Sequence, residues 1–270
     1  MSFEVKILAD SLAPSGCRLT TMEWTFPRSI LAEVNTHRKA SKNAASSRAI
    51  PTPTLIRRVI DEPFIPDFRV NQKGMQAGEA LEDDDAIAAR VRWLSYRDAA
   101  VEHAQSLHSL NIHKQYINRL LEPWMWCTII ISATDWGNLF ALRCDAQAEP
   151  SFHTIADMAL AAMRGSTPAA FYCGQWHLPL TTQQERMYGQ PQDWRMISAG
   201  RCARVSYLTH GGERDLGADV ALAERLLASG HMSPFEHQAS ALDVAEESGN
   251  FVGWRQFRKT LDGENRSFAL

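Results

Sequence analysis

The clearest indication of chemistry in this sequence is a cluster of polar residues between positions 37 and 48. Its members are His37, Arg38, Ser41, Asn43, Ser46 and Arg48. The histidine and the arginines supply positive charge, while the serine hydroxyls and the asparagine amide add hydrogen-bonding groups. A cluster of this composition is suited to binding an anion.

A helix over residues 27–45 is predicted to carry the first part of this cluster. Ile30 and Val34 give the helix an apolar face that packs on the core. Helical neighbours lie three or four residues apart, so His37 and Ser41 are expected side by side at its polar end.

Two arginines further along the chain are also candidates for anion binding. Arg119 belongs to a helix predicted over residues 111–122, which a proline then ends. Arg143 directly follows an apolar run, and an arginine in such surroundings needs a partner. A salt bridge to Asp135 or Asp145 is as well supported by the sequence as a contact with a ligand.

The remaining patterns predict the elements around these sites. Strands are predicted over residues 5–12 and 17–26, which pair as a hairpin. Residues 124–133 and 197–207 each fit either a strand or a helix. Residues 63–85 are predicted to be a surface loop or a substrate-facing flap. Residues 55–60 fit a short helix or a turn, and further helices are predicted over residues 86–110, 155–163 and 219–229.

Composition and charge exclude several classes of partner. The 270 residues are 45% hydrophobic and 22% charged, which is ordinary for a globular protein. A net charge of -3 gives no general attraction to a nucleic-acid polymer or an acidic membrane. The sequence shows neither the pattern of a signal peptide nor an apolar run long enough to span a bilayer. We therefore expect a cytoplasmic protein without membrane association.

Neither the cysteines nor the acidic residues indicate a metal site. The five cysteines are scattered, form no C-x-x-C pair and have no neighbours that mark a nucleophile. The acidic run at residues 82–85 is interpreted as the first turn of a helix, where carboxylates favour the helix dipole. No metal is expected.

Four motifs resemble those of the flavin-dependent thymidylate synthases. The signature Arg-His-Arg-x-x-Ser-x-Asn-x-x-Ser-x-Arg matches residues 36–48, except that Thr36 replaces the first arginine. Ser-Pro-Phe-Glu-His stands at residues 233–237. Leu-Arg followed by Ala-Gln-x-Glu stands at residues 142–149, and Arg-x-x-x-Pro at residues 119–123.

The resemblance implies an α/β protein of the α+β type, with a central mixed or antiparallel sheet flanked by helices. It implies a single domain over residues 1–270, in which residues 164–197, the part least like the family, form a loop-rich insertion. It also implies a homotetramer with shared active sites, FAD as cofactor, and dUMP, NADPH and methylenetetrahydrofolate as substrates.

Site residues follow from the resemblance by their motif positions. Contacts with FAD are implied for His37, Arg38, Ser41, Asn43, Asn138, Ser233 and His237. Contacts with dUMP are implied for Ser46, Arg48, Arg119 and Arg143. Catalytic roles are implied for Ser46, Arg143 and His237.

The implied activity is transfer of a one-carbon unit to C5 of dUMP, giving dTMP. Methylation at C5 commonly uses a cysteine that adds to C6, but no cysteine here stands in a suitable context. A reduced flavin can supply a hydride instead. Two alternatives remain open: a hydroxymethylase that gives 5-hydroxymethyl-dUMP, and a flavin- or nucleotide-binding protein without catalysis.

The chain also departs from the family pattern. The motif at residues 233–237 follows the signature instead of preceding it, as a permutation or a duplication would produce. Thr36 replaces an arginine, Ala44 stands where the family usually has glutamate, and Pro150 replaces an isoleucine. Thr36 and Ala44 motivate the hydroxymethylase alternative, because changes near a flavin alter water access and hydride delivery.

Overall fold

The structure is a computed structural model that describes residues 1–74, 76–188, 193–209, 212 and 214–264. Its strands are β1 (Glu4–Leu12), β2 (Arg18–Pro27), β3 (Ser41–Ala44), β4 (Trp126–Ala133), β5 (Ala169–Ala170), β6 (Trp176–His177), β7 (Ala239–Ala241), β8 (Glu247–Ser248), β9 (Phe251–Val252) and β10 (Trp254–Gln256). The main sheet has the order β3-β4-β2-β1-β5. It is mixed, because β5 runs parallel to β1 while the other pairs are antiparallel. The predicted α/β class with a mixed sheet is confirmed.

Helices surround this sheet. They are α1 (Leu31–Asn35), α2 (Thr52–Asp61), α3 (Asp83–Ser109), α4 (Lys114–Ile117), α5 (Gly137–Arg143), α6 (Pro150–Gly165), α7 (Gln183–Tyr188), α8 (Trp194–Ala203) and α9 (Leu216–Ala228). Short 3-10 turns cover Arg28–Ile30, Asn118–Trp124, Arg204–Tyr207, Ser233–Glu236 and Phe257–Thr260. The described part of the chain contains no helix that is both long and apolar enough to cross a membrane.

The strands β2 and β4 form the buried centre of the sheet. All residues of β2 after Arg18, and all residues of β4 after Trp126, are buried. The predicted hairpin of β1 and β2 is confirmed. Of the two interpretations of residues 124–133, the strand is the correct one, since β4 pairs with β2 and β3.

The predicted helix over residues 27–45 is wrong in its second half. It ends at Asn35, where the Thr36 hydroxyl bonds to the Glu33 carbonyl, and the chain then re-enters the sheet as β3. Serine and asparagine favour helices only weakly, whereas pairing with β4 satisfies the backbone of β3. His37 and Ser41 therefore do not share a helical face.

The predicted helix over residues 111–122 is also shorter than expected. Only α4 is α-helical, and a 3-10 turn follows that includes Pro123. The cause is Asn118, which is fully buried and donates from Nδ2 to the carbonyls of Ser47 and Ile50 at 2.6 and 2.9 Å. These tertiary bonds outweigh the local preference for a continued helix.

Other expectations fare better. The acidic residues Asp83, Asp84 and Asp85 lie in the first turn of α3, as predicted. Residues 197–207 are helical rather than extended. Residues 164–197 contain β5, β6, α7 and the start of α8 between loops, while positions 189–192 of this segment lie outside the described residues. The single-domain organisation stays a prediction.

Two apolar clusters position the site described next. In one, Trp24 and Ile129 of the sheet pack with Leu139 of α5 and Phe152 of α6. This packing fixes the end of α5, where Arg143 lies. The second cluster joins α2, α3 and the turn at residues 118–124, which carries Arg119.

Candidate active site

An open cleft of about 1870 Å³ runs along one side of the molecule. Its walls come from residues 28–35, the loop at residues 64–74, Trp93 of α3, and the segments 119–123 and 143–151. Ligand pockets commonly measure roughly 300 to 1,000 Å³. The cleft therefore has room for more than one small ligand.

Arg119 and Arg143 are the two residues from the predicted site that line this cleft. Arg143 ends α5, and the following residues 146–150 of the same motif also face the cleft. Arg119 and Pro123, the ends of the fourth motif, line the same cleft. The structure thus brings the third and fourth motifs together at one opening.

His37 of the signature connects the first motif to this cleft. Arg143 donates from Nε to His37 Nε2 at 3.0 Å. In the described part of the chain, the carboxylate that pairs with Arg143 is Glu33, at 3.8 Å from Nη1. The salt bridges to Asp135 or Asp145 that the sequence left open do not form there.

The loop before α3 adds cations that sequence reasoning did not assign to the site. Arg69 and Lys73 both face the cleft. Arg69 is paired with Asp67 at 2.9 Å, whereas Lys73 has no ion-pair partner among the described residues. The signal in the sequence was the prediction that residues 63–85 form either a surface loop or a substrate-facing flap.

Arg28 and Glu122 also line the cleft, and the sequence did not indicate them as site residues. Arg28 donates to the Ala45 carbonyl at 3.1 Å and pairs with Glu122 at 3.4 Å. Ser47 of the signature donates to the same Glu122 carboxylate at 2.8 Å. The signature segment therefore contacts the cleft wall through the hydrogen bond between Ser47 and Glu122. The motif does not specify the residue at position 47.

Two signature residues, Ser41 and Asn43, belong to β3 and have side chains buried in the interior of the protein. The hydroxyl of Ser41 accepts bonds from Asn250 and Gln256 at 3.2 and 3.1 Å. Gln256 also donates to the Glu236 carbonyl at 3.1 Å, which links the signature to the motif at residues 233–237.

The other predicted contacts lie on the surface and off the cleft. Arg38, Arg48, Asn138 and Ser233 are exposed, and Ser46 is half-buried with its backbone amide bonded to Ser206. None of them lines the cleft. Arg38 and Arg48 have no ion-pair partner among the residues described, so both are available to an anion.

His237 is completely buried at the end of a chain of polar side chains. The chain consists of Ser11, His177, Thr21, Ser132 and His237, joined by contacts of 2.7 to 2.8 Å. Burial lowers the pKa of His177 and of His237 to about 3, so both are neutral. The Nε2 atom of His237 has no hydrogen-bond partner in the described structure. Its predicted contact with a flavin stays a prediction.

The predicted flavin contacts fit the cofactor only in part. The pyrophosphate of FAD requires cations, and Arg38 is exposed and unpaired among the described residues. Ser41 already uses its hydroxyl internally, and His237 is inaccessible in the single chain. Among the described residues, no group of three histidine, cysteine, aspartate or glutamate side chains is placed to hold a metal ion.

Chemically, the cleft combines guanidinium groups with aromatic walls. Arg119 and Arg143 can bind a phosphate or a carbonyl oxygen through forked hydrogen bonds. Phe64, Phe68 and Trp93 offer apolar surface for a ring. An anionic ligand that carries a flat ring, such as a nucleotide, matches both features.

Comparison with known proteins finds similarity to solved structures of a nucleotide methylase and a thymidylate synthase. The methylase is the UMP/dUMP methylase PolB from Streptomyces cacaoi bound with 5-Br UMP, with 13% identity, a TM-score of 0.49, and coverage of 60% of this chain and 88% of that chain. The same methylase bound with 5-Br dUMP gives 13% identity and a TM-score of 0.48 over 60% of this chain and 90% of that chain.

The synthase is the flavin-dependent thymidylate synthase ThyX from Helicobacter pylori complexed with FAD and dUMP. It is 16% identical, with a TM-score of 0.37 over 54% of this chain and 67% of that chain. Neither a protein-family model nor a curated protein sequence matches this chain.

Proposed function

We propose that this protein is an FAD-dependent enzyme that transfers a one-carbon unit from methylenetetrahydrofolate to C5 of dUMP, giving dTMP. The observation that carries the proposal is the meeting of three motifs at one cleft. Arg119 and Arg143 line it, and His37 of the signature bonds to Arg143. Arginines from separate segments that converge on one opening are typical of an anion site.

The proposed role of the two arginines is to bind and polarise dUMP. One guanidinium holds the phosphate, and another hydrogen-bonds a uracil carbonyl, which stabilises negative charge as it develops on the ring. The aromatic walls at Phe68 and Trp93 provide apolar surface beside these cations. The size of the cleft leaves space for the folate next to the nucleotide.

The cysteines support a reaction without a thiolate nucleophile. No cysteine lines the cleft among the described residues. Burial raises the pKa of Cys202 to about 12, and burial together with Asp157 raises the pKa of Cys144 to about 11. At neutral pH both are protonated and poorly nucleophilic. When bound, a reduced flavin supplies hydride, and NADPH is the proposed reductant.

A homotetramer with shared sites is part of the proposal. Arg38, Arg48 and Ser233 are exposed but lie off the cleft, so they contact ligands only if another copy of the chain brings its own cleft near them. Light scattering on the purified protein with FAD tests this. A monomer that retains full activity would contradict it.

Hydroxymethylation is a second candidate on the same scaffold. The volume and openness of the cleft favour it, because water can reach a methylene group on C5 before hydride does. Thr36 is consistent with this candidate, since it is exposed and bonds to the Glu33 carbonyl, leaving no arginine at the first signature position.

The mass of the nucleotide product distinguishes the two reactions. The purified protein is incubated with dUMP, methylenetetrahydrofolate, FAD and NADPH, and the product is weighed by mass spectrometry. A methyl group on uracil supports the thymidylate synthase, and a hydroxymethyl group supports the alternative. A binding protein without catalysis returns unchanged dUMP and leaves reduced flavin unoxidised when dUMP and folate are added without oxygen.

A further inference from the structure

The guanidinium of Arg143 is oriented by groups that do not neutralise it. Its Nε donates to His37 Nε2 at 3.0 Å, and its Cζ lies 4.5 Å from the centre of the Phe152 ring. The Glu33 carboxylate is 3.8 Å from Nη1, which is too long for a hydrogen bond. An imidazole acceptor and an aromatic face therefore fix the side chain, while its terminal nitrogens make no hydrogen bond to the Glu33 carboxylate.

Two other cleft arginines, Arg28 and Arg69, are hydrogen-bonded to carboxylates. Arg28 pairs with Glu122 at 3.4 Å, and Arg69 pairs with Asp67 at 2.9 Å. In both cases a carboxylate offsets the charge of the guanidinium. Arg143 is 22% exposed, and its terminal nitrogens make no hydrogen bond within the described structure. They remain free to bind an anion in the cleft.

His37 can act as an acceptor only while its Nε2 is unprotonated. Burial lowers the pKa of His37, and the neighbouring cations Arg143 and Lys42 lower it further. Lys42 donates from its ammonium group to the His37 carbonyl, and the ring packs edge-on against Phe152 with centroids 5.6 Å apart. The two charged groups that lower the pKa of His37 are both cations, and they favour the neutral imidazole at neutral pH. The Glu33 carboxylate lies 3.8 Å from Nη1 of the same Arg143.

We propose that His37 is a positioning residue. It accepts a hydrogen bond from Nε of Arg143 and thereby orients this arginine toward the anionic or carbonyl oxygens of a bound nucleotide. This inference rests on the proposed nucleotide site and deepens it. It gives His37 a role toward the nucleotide, in place of the flavin contact that the motif implies. Lys42 supports this role by holding the backbone of residue 37.

The test measures dUMP binding by titration calorimetry on the full chain at pH 8. His37→Phe removes the acceptor, and we expect dUMP affinity to fall by about tenfold, the usual size of one lost charge-assisted bond. His37→Gln keeps an acceptor oxygen and should retain affinity within about threefold. His103→Phe, at an exposed position of α3, serves as the control for removal of a histidine. Thermal unfolding checks that each variant folds.

The pH profile provides a readout that a purely structural role would not change. Protonation of His37 removes the acceptor and repels the Arg143 guanidinium from its position, so wild-type affinity should fall more steeply than that of His37→Gln as pH drops below about 6.5. His37→Gln reports the titration of the nucleotide phosphate alone, whose second pKa is about 6.

Two outcomes would overturn the inference. In one, His37→Phe binds dUMP as tightly as wild type; in the other, His37→Gln is as weak as His37→Phe. Failure of the proposed function looks different, because wild type itself then shows no dUMP binding at pH 8. That result removes the nucleotide site and the role of His37 with it.

Discussion

Arg143 in the cleft and Arg201 in the interior show two opposite uses of the same side chain. Arg201 is 1% exposed, donates from Nε to Asp219 at 2.8 Å and lies 3.1 Å from Glu185. Asp219 is completely buried and also accepts a bond from Arg204 at 2.8 Å. Arg143 is held by a neutral imidazole instead, with its paired carboxylate 3.8 Å away.

This difference separates a structural arginine from one that is available to a ligand. Two carboxylates offset the charge of Arg201, so this buried group ties α8 to α9 instead of binding a ligand. Arg143 has a fixed orientation, and its terminal nitrogens make no hydrogen bond within the described structure, which suits it to anion binding. The partners of an arginine therefore say more about its role than its burial does.

The largest effect is expected from breaking the interior group. Asp219→Asn leaves Arg201 buried with part of its compensation lost, so the free energy of unfolding should fall by about 3 to 5 kcal/mol in urea titrations. The folded fraction should bind dUMP as wild type does. Asp98→Asn, which removes an exposed ion pair with Arg97, is the control and should cost less than about 1 kcal/mol. Equal effects of the two variants would contradict a structural role for Asp219.

Removing Arg143 from the cleft should weaken dUMP binding and leave the stability of the fold nearly unchanged. We expect Arg143→Ala to weaken dUMP binding by about 2 to 5 kcal/mol, well over tenfold, because a charge-assisted contact to the anion is lost. Unfolding should change by less than about 1 kcal/mol. Calorimetry measures the affinity, and Arg57→Ala on the exposed side of α2 is the matched control. Unchanged affinity would mean that Arg143 serves a salt bridge to Glu33.

The two buried histidines should make the free energy of unfolding depend on pH. His177 and His237 have folded pKa values of about 3, below the value of about 6.5 in an unfolded chain. Between these values the unfolded state binds more protons, so stability is complete above pH 6.5 and falls as pH decreases toward 3. Each histidine contributes a slope of at most about 1.4 kcal/mol per pH unit.

Urea titrations of wild type and His237→Gln between pH 4.5 and 7 measure this slope. The variant should show a smaller slope because it lacks one of the two buried titrating groups. His103→Gln, at an exposed position, should keep the wild-type slope. Identical slopes for wild type and His237→Gln would show that His237 is not held neutral in the folded protein.

The smallest effect is expected at Arg119. This side chain is exposed and makes no ion pair within the described residues, so its contribution is screened by water and salt. Arg119→Ala should weaken dUMP binding by about threefold to tenfold at low ionic strength, and by less in about 0.5 M salt. A loss as large as that of Arg143→Ala would show that Arg119 is the principal anion contact.

The strands with a clear pattern could be predicted, and the short polar strand could not. Alternation predicts β2, whereas the apolar run that becomes β4 predicts only a buried element, since it fits a strand or a helix. The four residues of β3 have no such pattern, and they are extended because β4 offers them backbone partners. A pairing between residues about 90 positions apart is absent from local sequence preference.

Two of the four motif arginines line one cleft, but the geometry of the cleft could not be predicted from the sequence. Arg119 and Arg143 do meet at one cleft. Arg69 and Lys73 reach the cleft because the irregular loop before α3 folds toward it. Local sequence patterns do not specify the path of such a loop. The burial of His237 was also unforeseeable, because hydroxyl partners on distant strands allow this polar ring to enter the core.

The most direct test of the account is to locate bound nucleotide by photocrosslinking with 5-iodo-dUMP, followed by mass spectrometry of the labelled peptides. Labels are predicted on peptides that contain residues 64–74, 119–123 or 143–151, and excess dUMP should suppress them. Arg143→Ala should reduce this labelling at the same probe concentration. Labelling confined to peptides outside the cleft, such as those of α8 and α9, would contradict the assignment of the cleft as the nucleotide site.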